Sequence, residues 1–292
     1  MMDINYELYK VFYHVASTLS FSEASKQLFI SQSAVSQSIK VLEKKLNQTL
    51  FIRSTKRVQL TPEGEILLKH IEPAMNLIKK GENQLLEANT LNGGQLRIGA
   101  SDTICRYFLV PFLSHFHSLY PNIHIKVTNR TSIECARLLE NGQVDFIITN
   151  YPNSALSNTQ NIKMLRPFHD VFAANEAFFP LKGRKMSLEE LQTYPILMLD
   201  KKSTTSEFLH SMFQKHQLDL VPEIELSSND LLIDLAKIGL GIAFVPDYCI
   251  PEHGKNLFVV NLEEQLPTRQ MVVAYNENIP LSQAARQFID ML

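Results

Sequence analysis

Cysteine is scarce: three thiols (Cys105, Cys135, Cys249), an odd number without a CxxC pair or metal-type spacing, in a chain of 292 residues. That excludes a disulfide-stapled secreted scaffold and fits a reducing compartment, the cytoplasm. The opening residues Met1–Lys10 lack a basic stretch followed by an apolar run, so no export leader is expected. A membrane-length apolar run is missing too. The longest charge-free stretch, Tyr107–Ile125, carries Pro111, Ser114, Ser118, Pro121, Asn122 and three histidines, too polar to cross a bilayer. Catalytic signatures are absent: there is no GxSxG, HExxH, P-loop or GxGxxG, and Gly239-Leu240-Gly241 follows a helical pattern and reads as a turn. His115 and His117 stand two apart, about 200° round a helix, and cannot share a metal there. The expectation is a protein without catalysis, metal or cofactor.

Overall basicity is lacking as well, with 28 Lys/Arg against 30 Asp/Glu and a net charge of −2. The average hides a split. Residues 1–60 hold eight basic side chains (Lys10, Lys26, Lys40, Lys44, Lys45, Arg53, Lys56, Arg57) against four acids, a surplus of +4 that leaves −6 for the rest. A basic block on an acidic body suggests a nucleic-acid module joined to something else. Apolar residues at 45% and charged ones at 20% are globular values that rule out disorder or a coiled-coil rod. The length fits about two domains of roughly 100–200 residues.

The basic block reads as three short helices and a hairpin. Leu8, Phe12 and Val15 form one apolar stripe; Ser20 and Glu23 have the Ser-x-x-Glu spacing of a capping box, opening a helix that ends near Leu28. Ser31 is the N-cap candidate of a third helix whose Val35, Ile39, Leu42 and Leu46 repeat at 4, 3, 4. Its other face, Gln32, Ser33, Ser36, Gln37, Lys40 and Lys44, has no acid before Glu43. Gln pairs bidentately with adenine, Lys approaches guanine acceptors, and Ser serves base edges or phosphate, so this face has major-groove chemistry. Leu50–Arg53 and Arg57–Leu60 are expected to form a wing around Ser54-Thr55-Lys56, where Arg53, Lys56 and Arg57 would contact phosphates. Thr61-Pro62 then starts a long helix with a heptad seam, Leu67, Ile71, Ala74, Ile78, Gly81, Leu85 and Ala88. Over residues 62–91 it would span about 45 Å and needs a partner surface. Pro73 should kink it near Lys69–Pro73.

Asn92-Gly93-Gly94 is the clearest linker. Beyond it strand and helix signals alternate: Leu96–Ala100, a helix ending near Tyr120, Ile123–Val127, a helix around Ile133–Glu140, Val144–Thr149, Ile196–Leu199, helices over Thr204–His216 and Asp230–Ile238, Gly241–Val245, Met271–Tyr275 and a terminal helix Ser282–Leu292. Such alternation argues for a mostly parallel sheet covered on both faces.

The runs Phe21-Ser22-Glu23-Ala24-Ser25-Lys26-Gln27-Leu28 and Ser31-Gln32-Ser33-Ala34-Val35-Ser36-Gln37-Ser38-Ile39-Lys40-Val41-Leu42-Glu43, followed by Leu50–Arg53 and Leu60-Thr61-Pro62-Glu63-Gly64, resemble the LysR-type transcriptional regulators. The likeness continues through Leu96–Ser101, Leu139–Gly142 with Asp145, and Gly239–Pro246. Two departures stand out: Ser33 where the family usually has Pro, and Pro73 inside the linker helix. The resemblance implies an α/β chain with a winged helix-turn-helix N-terminal domain (residues 1–61), a long linker and dimerisation helix (62–91) and an effector-binding domain (92–292). That domain should have the two-lobed, type 2 periplasmic-binding-protein-like fold, lobe I over about 95–165 and 266–292 and lobe II over about 166–265. Expected partners are a dyad-symmetric duplex DNA operator, read by Ser31, Gln32, Ser33, Ser36, Gln37 and Lys40, a second copy of the chain in dimers or tetramers, and RNA polymerase, with no membrane.

In open α/β sheets ligands sit beyond the carboxyl ends of strands, at helix N-termini. The candidate effector residues are therefore Ser101 and Thr103 after the first strand, Asn129, Arg130 and Thr131 after the second, and Thr149 and Asn150 at the third. Thr204 and Thr205 beside Ser203, and Val245-Pro246, are the candidates on the other lobe. If Arg130 faces the cleft it favours an anionic effector. Cys105 lies near a helix terminus that could stabilise a thiolate, but no resolving cysteine stands near it in sequence. On the residues alone, a solute-binding protein or enzyme using the same two-lobed fold stays open; the Gln/Ser-rich basic helix and the missing export leader speak against it.

Overall fold

The computed structural model describes residues 4–53, 57–87, 94–157, 160–250 and 256–292. The expected wing tip, Ser54 to Lys56, the seam's last residue Ala88, and Asn92 and Gly93 of the linker lie outside them. The chain falls into two compact units, one of Met1–Leu86 with Asn141–Gln143 and one of Glu87–Glu140 with Val144–Leu292.

In the first unit, α1 (Tyr6–Thr18), α2 (Phe21–Leu28) and α3 (Gln32–Leu46) are each started by a capping side chain: Asn5, Ser20 and Ser31 accept from Glu7, Glu23 and Ala34 amides. The Ser20 box is only half formed. Glu23 pairs with Lys26 at 3.4 Å, and the Ser20 amide instead donates to Thr18 Oγ1 at 3.3 Å. The helices stop at left-handed residues that are not glycine, Leu19 (φ 48°), Phe29 (φ 54°) and Asn47 (φ 51°). Val11, Phe12, Val15, Ala24, Val35, Ile39 and Leu42 converge in one core. A short antiparallel hairpin follows, β1 (Phe51–Arg53) with β2 (Val58–Leu60). Glu43 ties it to α3 by accepting from the Leu50 and Phe51 amides at 2.9 and 3.3 Å.

Helix α4 (Pro62–Glu87) begins at Thr61, whose Oγ1 accepts from the Gly64 amide at 3.0 Å. It runs through Pro73 without ending there, so the lost amide at that position does not break the helix. Leu67, Leu68 and Ile71 pack on the three-helix core, whereas Ile78 and Leu85 of the seam are 56% and 77% exposed.

The second unit continues as β3 (Gln95–Ala100), α5 (Asp102–Ile104), a single π-helical turn (Cys105–Leu109), α6 (Val110–Leu119), β4 (His124–Asn129), α7 (Ser132–Glu140), β5 (Phe146–Tyr151), β6 (Gln160–Phe168), β7 (Asp170–Asn175), β8 (Lys185–Met186), α8 (Leu188–Leu191), β9 (Ile196–Leu199), α9 (Thr204–Lys215), β10 (Ile224–Leu226), α10 (Asn229–Lys237), β11 (Ile242–Pro246), β12 (Leu257–Val259), β13 (Asn261–Leu262), β14 (Arg269–Asn276) and α11 (Gln283–Met291). Two five-stranded sheets result, ordered β4-β3-β5-β14-β6 and β10-β9-β11-β7-β12. We call the lobes built on them I and II.

The sheets are mixed rather than mostly parallel. In lobe I, β3 is parallel to β4 and β5, but β14 is antiparallel to β5 and β6. In lobe II, β9 is parallel to β10 and β11, but β7 is antiparallel to β11 and β12. The reason is connectivity: β7 and β14 are the strands by which the chain arrives from the other lobe, and they enter against the direction of the βαβ units. Each lobe has its own aromatic core. Phe288 packs 5.2 Å from Phe116 and 5.6 Å from Phe146 in lobe I, and Phe172 lies 4.7 Å from Phe244 in lobe II.

Candidate functional site

Two surfaces carry the candidate residues. On the first unit, the period of α3 buries Val35, Ile39 and Leu42 completely and turns Gln32, Ser33, Gln37 and Lys40 to solvent, with Ser36 half-buried between them. Ser31 caps the helix and its Oγ lies 2.9 Å from Ser33 Oγ, so the serine standing where proline is usual extends the cap. Arg57 is exposed at the start of β2; Arg53 ends β1, its side chain outside the described set, as is Lys56. The face therefore presents amides, hydroxyls and a cation with no carboxylate among them.

On the second unit, the strand-to-helix turns of both lobes converge on one cavity of about 240 Å³. Ser101, Asp102 and Thr103 follow β3; Asn129 to Ser132 and Glu134 follow β4; Asn150 comes from β5. Lobe II adds Leu199, Asp200, Ser203 and Thr205 after β9, and Ser227 and Asn229 after β10. The turns are shaped by caps: Ser101 and Ser203 accept from Ile104 and Ser206 amides at 3.4 and 3.0 Å, and Thr131 Oγ1 from the Glu134 amide at 3.2 Å.

Of the residues expected to bind an effector, Ser101, Thr103, Asn129, Arg130, Thr131, Asn150 and Thr205 line this cavity together. Thr149, Thr204, Val245 and Pro246 do not. Thr149 alternates with Asn150 along β5, is fully buried, and its Oγ1 accepts from Asn153 Nδ2 at 3.0 Å. Thr204 is buried behind Thr205 at the start of α9, and Val245 belongs to a core with Leu232 and Cys249. Pro246 pairs with Asp170 at the end of β11. Ser132 and Ser203, which flank those candidates, line the cavity too; the residues that sequence reasoning missed are Asp102, Glu134, Leu199, Asp200, Ser227 and Asn229. Most lie near residues already singled out; Ser227 and Asn229 follow β10, three residues whose Ile-Glu-Leu pattern is too short to stand out.

Cross-lobe bonds frame the cavity. Asn229 Nδ2 donates to Thr103 Oγ1 at 2.9 Å, and Tyr107 Oη donates to Asp230 Oδ1 at 2.5 Å. Arg106 lies 3.4 Å from Asp230. Arg106 and Tyr107 both sit on the π-helical turn, which re-aims side chains relative to a regular helix. Burial and the bond to Asp230 push the Tyr107 phenol up, so it stays a donor. Behind the cavity floor, Arg269 at the start of β14 pairs with Asp170 at the start of β7, 2.8 Å apart and both buried, where the chain crosses between lobes. Arg269 Nη1 also donates to the cavity residue Thr205 at 3.2 Å, and its guanidinium lies 5.4 and 5.0 Å from the Phe168 and Phe208 rings. Burial pushes the Asp170 carboxyl up while Arg269 pulls it down.

Cys105 is not an activated thiol: burial, and then Asp102, push it up to about 11. The helix terminus that could favour a thiolate is outweighed by desolvation.

Comparison with known proteins gives two family matches. A model described as bacterial regulatory helix-turn-helix protein, lysR family, covers residues 6–65, and the LysR substrate binding domain covers residues 89–292. The chain is 28% identical over 286 residues to the HTH-type transcriptional activator CmpR of Synechocystis sp., spanning 97% of this chain and 93% of that protein. Among solved structures, full-length OxyR from Pseudomonas aeruginosa superposes with a TM-score of 0.73 at 20% identity, over 99% of this chain and 95% of that one. The Synechocystis CcmR regulatory domain in complex with 2-PG superposes with a TM-score of 0.62 at 23% identity, over 68% of this chain and 95% of that one.

Proposed function

Because the chain belongs to the LysR family of DNA-binding transcriptional regulators, which are not enzymes and whose DNA binding is controlled by small-molecule effectors, we propose how its residues divide the work. Gln32, Ser33, Ser36, Gln37 and Lys40 read base edges in the major groove. Ser31 holds the helix end, and Arg53, Lys56 and Arg57 grip phosphates. The acid-free outer face of α3 is the observation that carries this reading. Two copies pair through the linker helix, since Ala74, Ile78 and Leu85 otherwise stay open to water. A symmetric pair places two reading helices about 34–36 Å apart, one turn of duplex.

The effector occupies the cavity between lobes I and II, touching Ser101, Thr103, Asn129, Arg130, Thr131, Asn150 and Thr205, and its differential affinity for open and closed lobes shifts their closure. The linker helices carry that shift to half-site separation, and DNA bend or contact with RNA polymerase follows. The reducing cytoplasm is the compartment that suits such a protein.

Replacing Gln37 and Lys40 with Ala in the full chain tests the reading. Operator binding in gel shifts should be lost while the dimer by light scattering and ligand affinity persist. Roughly six to ten phosphate contacts should also weaken operator binding about 10³–10⁵-fold between about 50 and 200 mM salt. A double variant that still binds its operator at parental affinity refutes the assignment.

A further inference from the structure

The cavity between the lobes carries three carboxylates, Asp102, Glu134 and Asp200, against one guanidinium, Arg130. Arg130 gives one of its donors to the Asn129 carbonyl at 2.7 Å and keeps the rest of its fork. The helix end most able to attract an anion already has one: Glu134, in the first turn of α7, accepts from the Thr131 amide and hydroxyl at 3.3 and 3.1 Å. Asp102 accepts from Asn129 Nδ2 at 3.0 Å and Asp200 from the Lys202 amide at 3.1 Å, each through one oxygen. A ligand carrying only negative charge would meet three like charges across a small cavity.

A second observation asks for a donor on the ligand. Asn229, a lining residue, is only 4% exposed; its Nδ2 is committed to Thr103, and its buried Oδ1 has no hydrogen-bond partner. A buried acceptor left unmet is costly, so a bound molecule that donates there gains more than one that cannot. The lining thus holds three carboxylates and an unmet amide oxygen, while Arg130 supplies a fork suited to a carboxylate.

Resting on the proposed cleft, the geometry points to an effector that carries a protonated amine beside a carboxylate, a small zwitterion of the α-amino-acid class. Its ammonium is met by Asp102, Asp200 and Asn229 Oδ1, and its carboxylate by Arg130. This turns the anionic expectation from Arg130 alone into a requirement for both charges.

The test is calorimetric titration of the full chain with each of the common L-amino acids. For any that binds, the deaminated acid and the decarboxylated amine of the same skeleton follow. The expected result is an amino acid whose deaminated acid binds at least about tenfold more weakly, with a loss of similar size for the amino acid on Asp200→Asn. The inference is overturned if no amino acid binds, if the deaminated acid binds as tightly, or if Asp200→Asn changes nothing. Ser227→Trp, an exposed rim position with its fold checked by circular dichroism, separates this from the cleft itself. Amino-acid affinity unaffected by that substitution overturns the cleft reading. Binding of an amine-free acid such as 2-PG that the tryptophan abolishes leaves the cleft standing and sinks the zwitterion.

Discussion

Arg269→Met would remove the cation of a buried pair and leave Asp170 behind. Both side chains are almost fully buried, at 1% and 0% exposure, and meet at 2.8 Å. Breaking such a pair from one side costs about 3–5 kcal/mol, because the surviving charge has lost its partner and cannot reach water. The cation's contacts with the Phe168 and Phe208 rings go as well, though methionine keeps most of the packing. At roughly 2–4 °C per kcal/mol for a unit of this size, the melting temperature should fall by about 6–20 °C. The loss should depend on pH. Burial already pushes the Asp170 carboxyl up, and without Arg269 it rises further. A carboxyl whose folded pKa lies above its unfolded one stabilises fully below the unfolded value and loses that contribution as pH climbs through the folded value. The deficit of the variant should therefore be smallest at or below the ordinary carboxylate range and grow as pH rises above it. Replacing both partners, Asp170→Leu with Arg269→Met, should recover much of the stability, since apolar substitutes leave no stranded charge. Scanning calorimetry of the full chain with the two single variants and the double one measures all of this. A single variant melting within about 2 °C of the parent at neutral pH, or a double variant no better than Arg269→Met, would show that the pair is not desolvated as described.

Three further outcomes follow from local geometry. Gly64→Ala places a Cβ 2.3 Å from the Leu50 carbonyl oxygen, a backbone atom that cannot rotate away, so the helix-turn-helix unit should lose about 1–3 kcal/mol in urea titrations. Cys105, pushed up to about 11, should be about 0.1% thiolate at pH 8 and alkylate far more slowly than free cysteine, with little loss of DNA binding on mild peroxide treatment. The Met212 carbonyl and then Glu264 hold the half-buried His216 imidazole above its ordinary value. Its stabilising contribution is complete below the unfolded pKa and fades as pH rises through the folded one, so His216→Gln should flatten that part of the stability profile. An NMR titration showing His216 at or below the value of free histidine would contradict the clip.

The N-terminal unit was legible because its determinants are local. Ser20 and Ser31 cap the helices that follow them, and Phe12, Val15, Val35, Ile39 and Leu42 reach the core through the period of their own helices. The wing's short strands bracket a turn, so their pairing also needs no distant chain. In the second unit the same locality showed Ser101, Asn129, Thr131 and Thr205, which sit at strand-to-helix turns. It could not show facing. Thr149 and Asn150 are neighbours on a strand, and alternation sends one into the core and one to the cavity. Thr204 and Thr205 are both buried at the start of α9, about 100° apart round the helix, and only Thr205 reaches the cavity. β6 (Gln160–Phe168) and β7 (Asp170–Asn175) escaped notice because β6 is a polar edge strand with Pro167 in it, and β7 has two alanines where branched residues would signal a strand.

What the amino-acid order determined by itself is the set of elements and caps: a reading helix with an acid-free face, a long helix with an apolar seam, and turns rich in hydroxyls and amides. What only the tertiary structure decided is which turns meet. The antiparallel entry of β7 and β14, the Arg269–Asp170 pair joining residues 99 apart, and the Asn229–Thr103 bond across 126 residues exist only once both sheets have formed. Local periodicity carries no information about partners so distant in the chain, and the cavity's surplus of carboxylates became visible only when those turns were brought together.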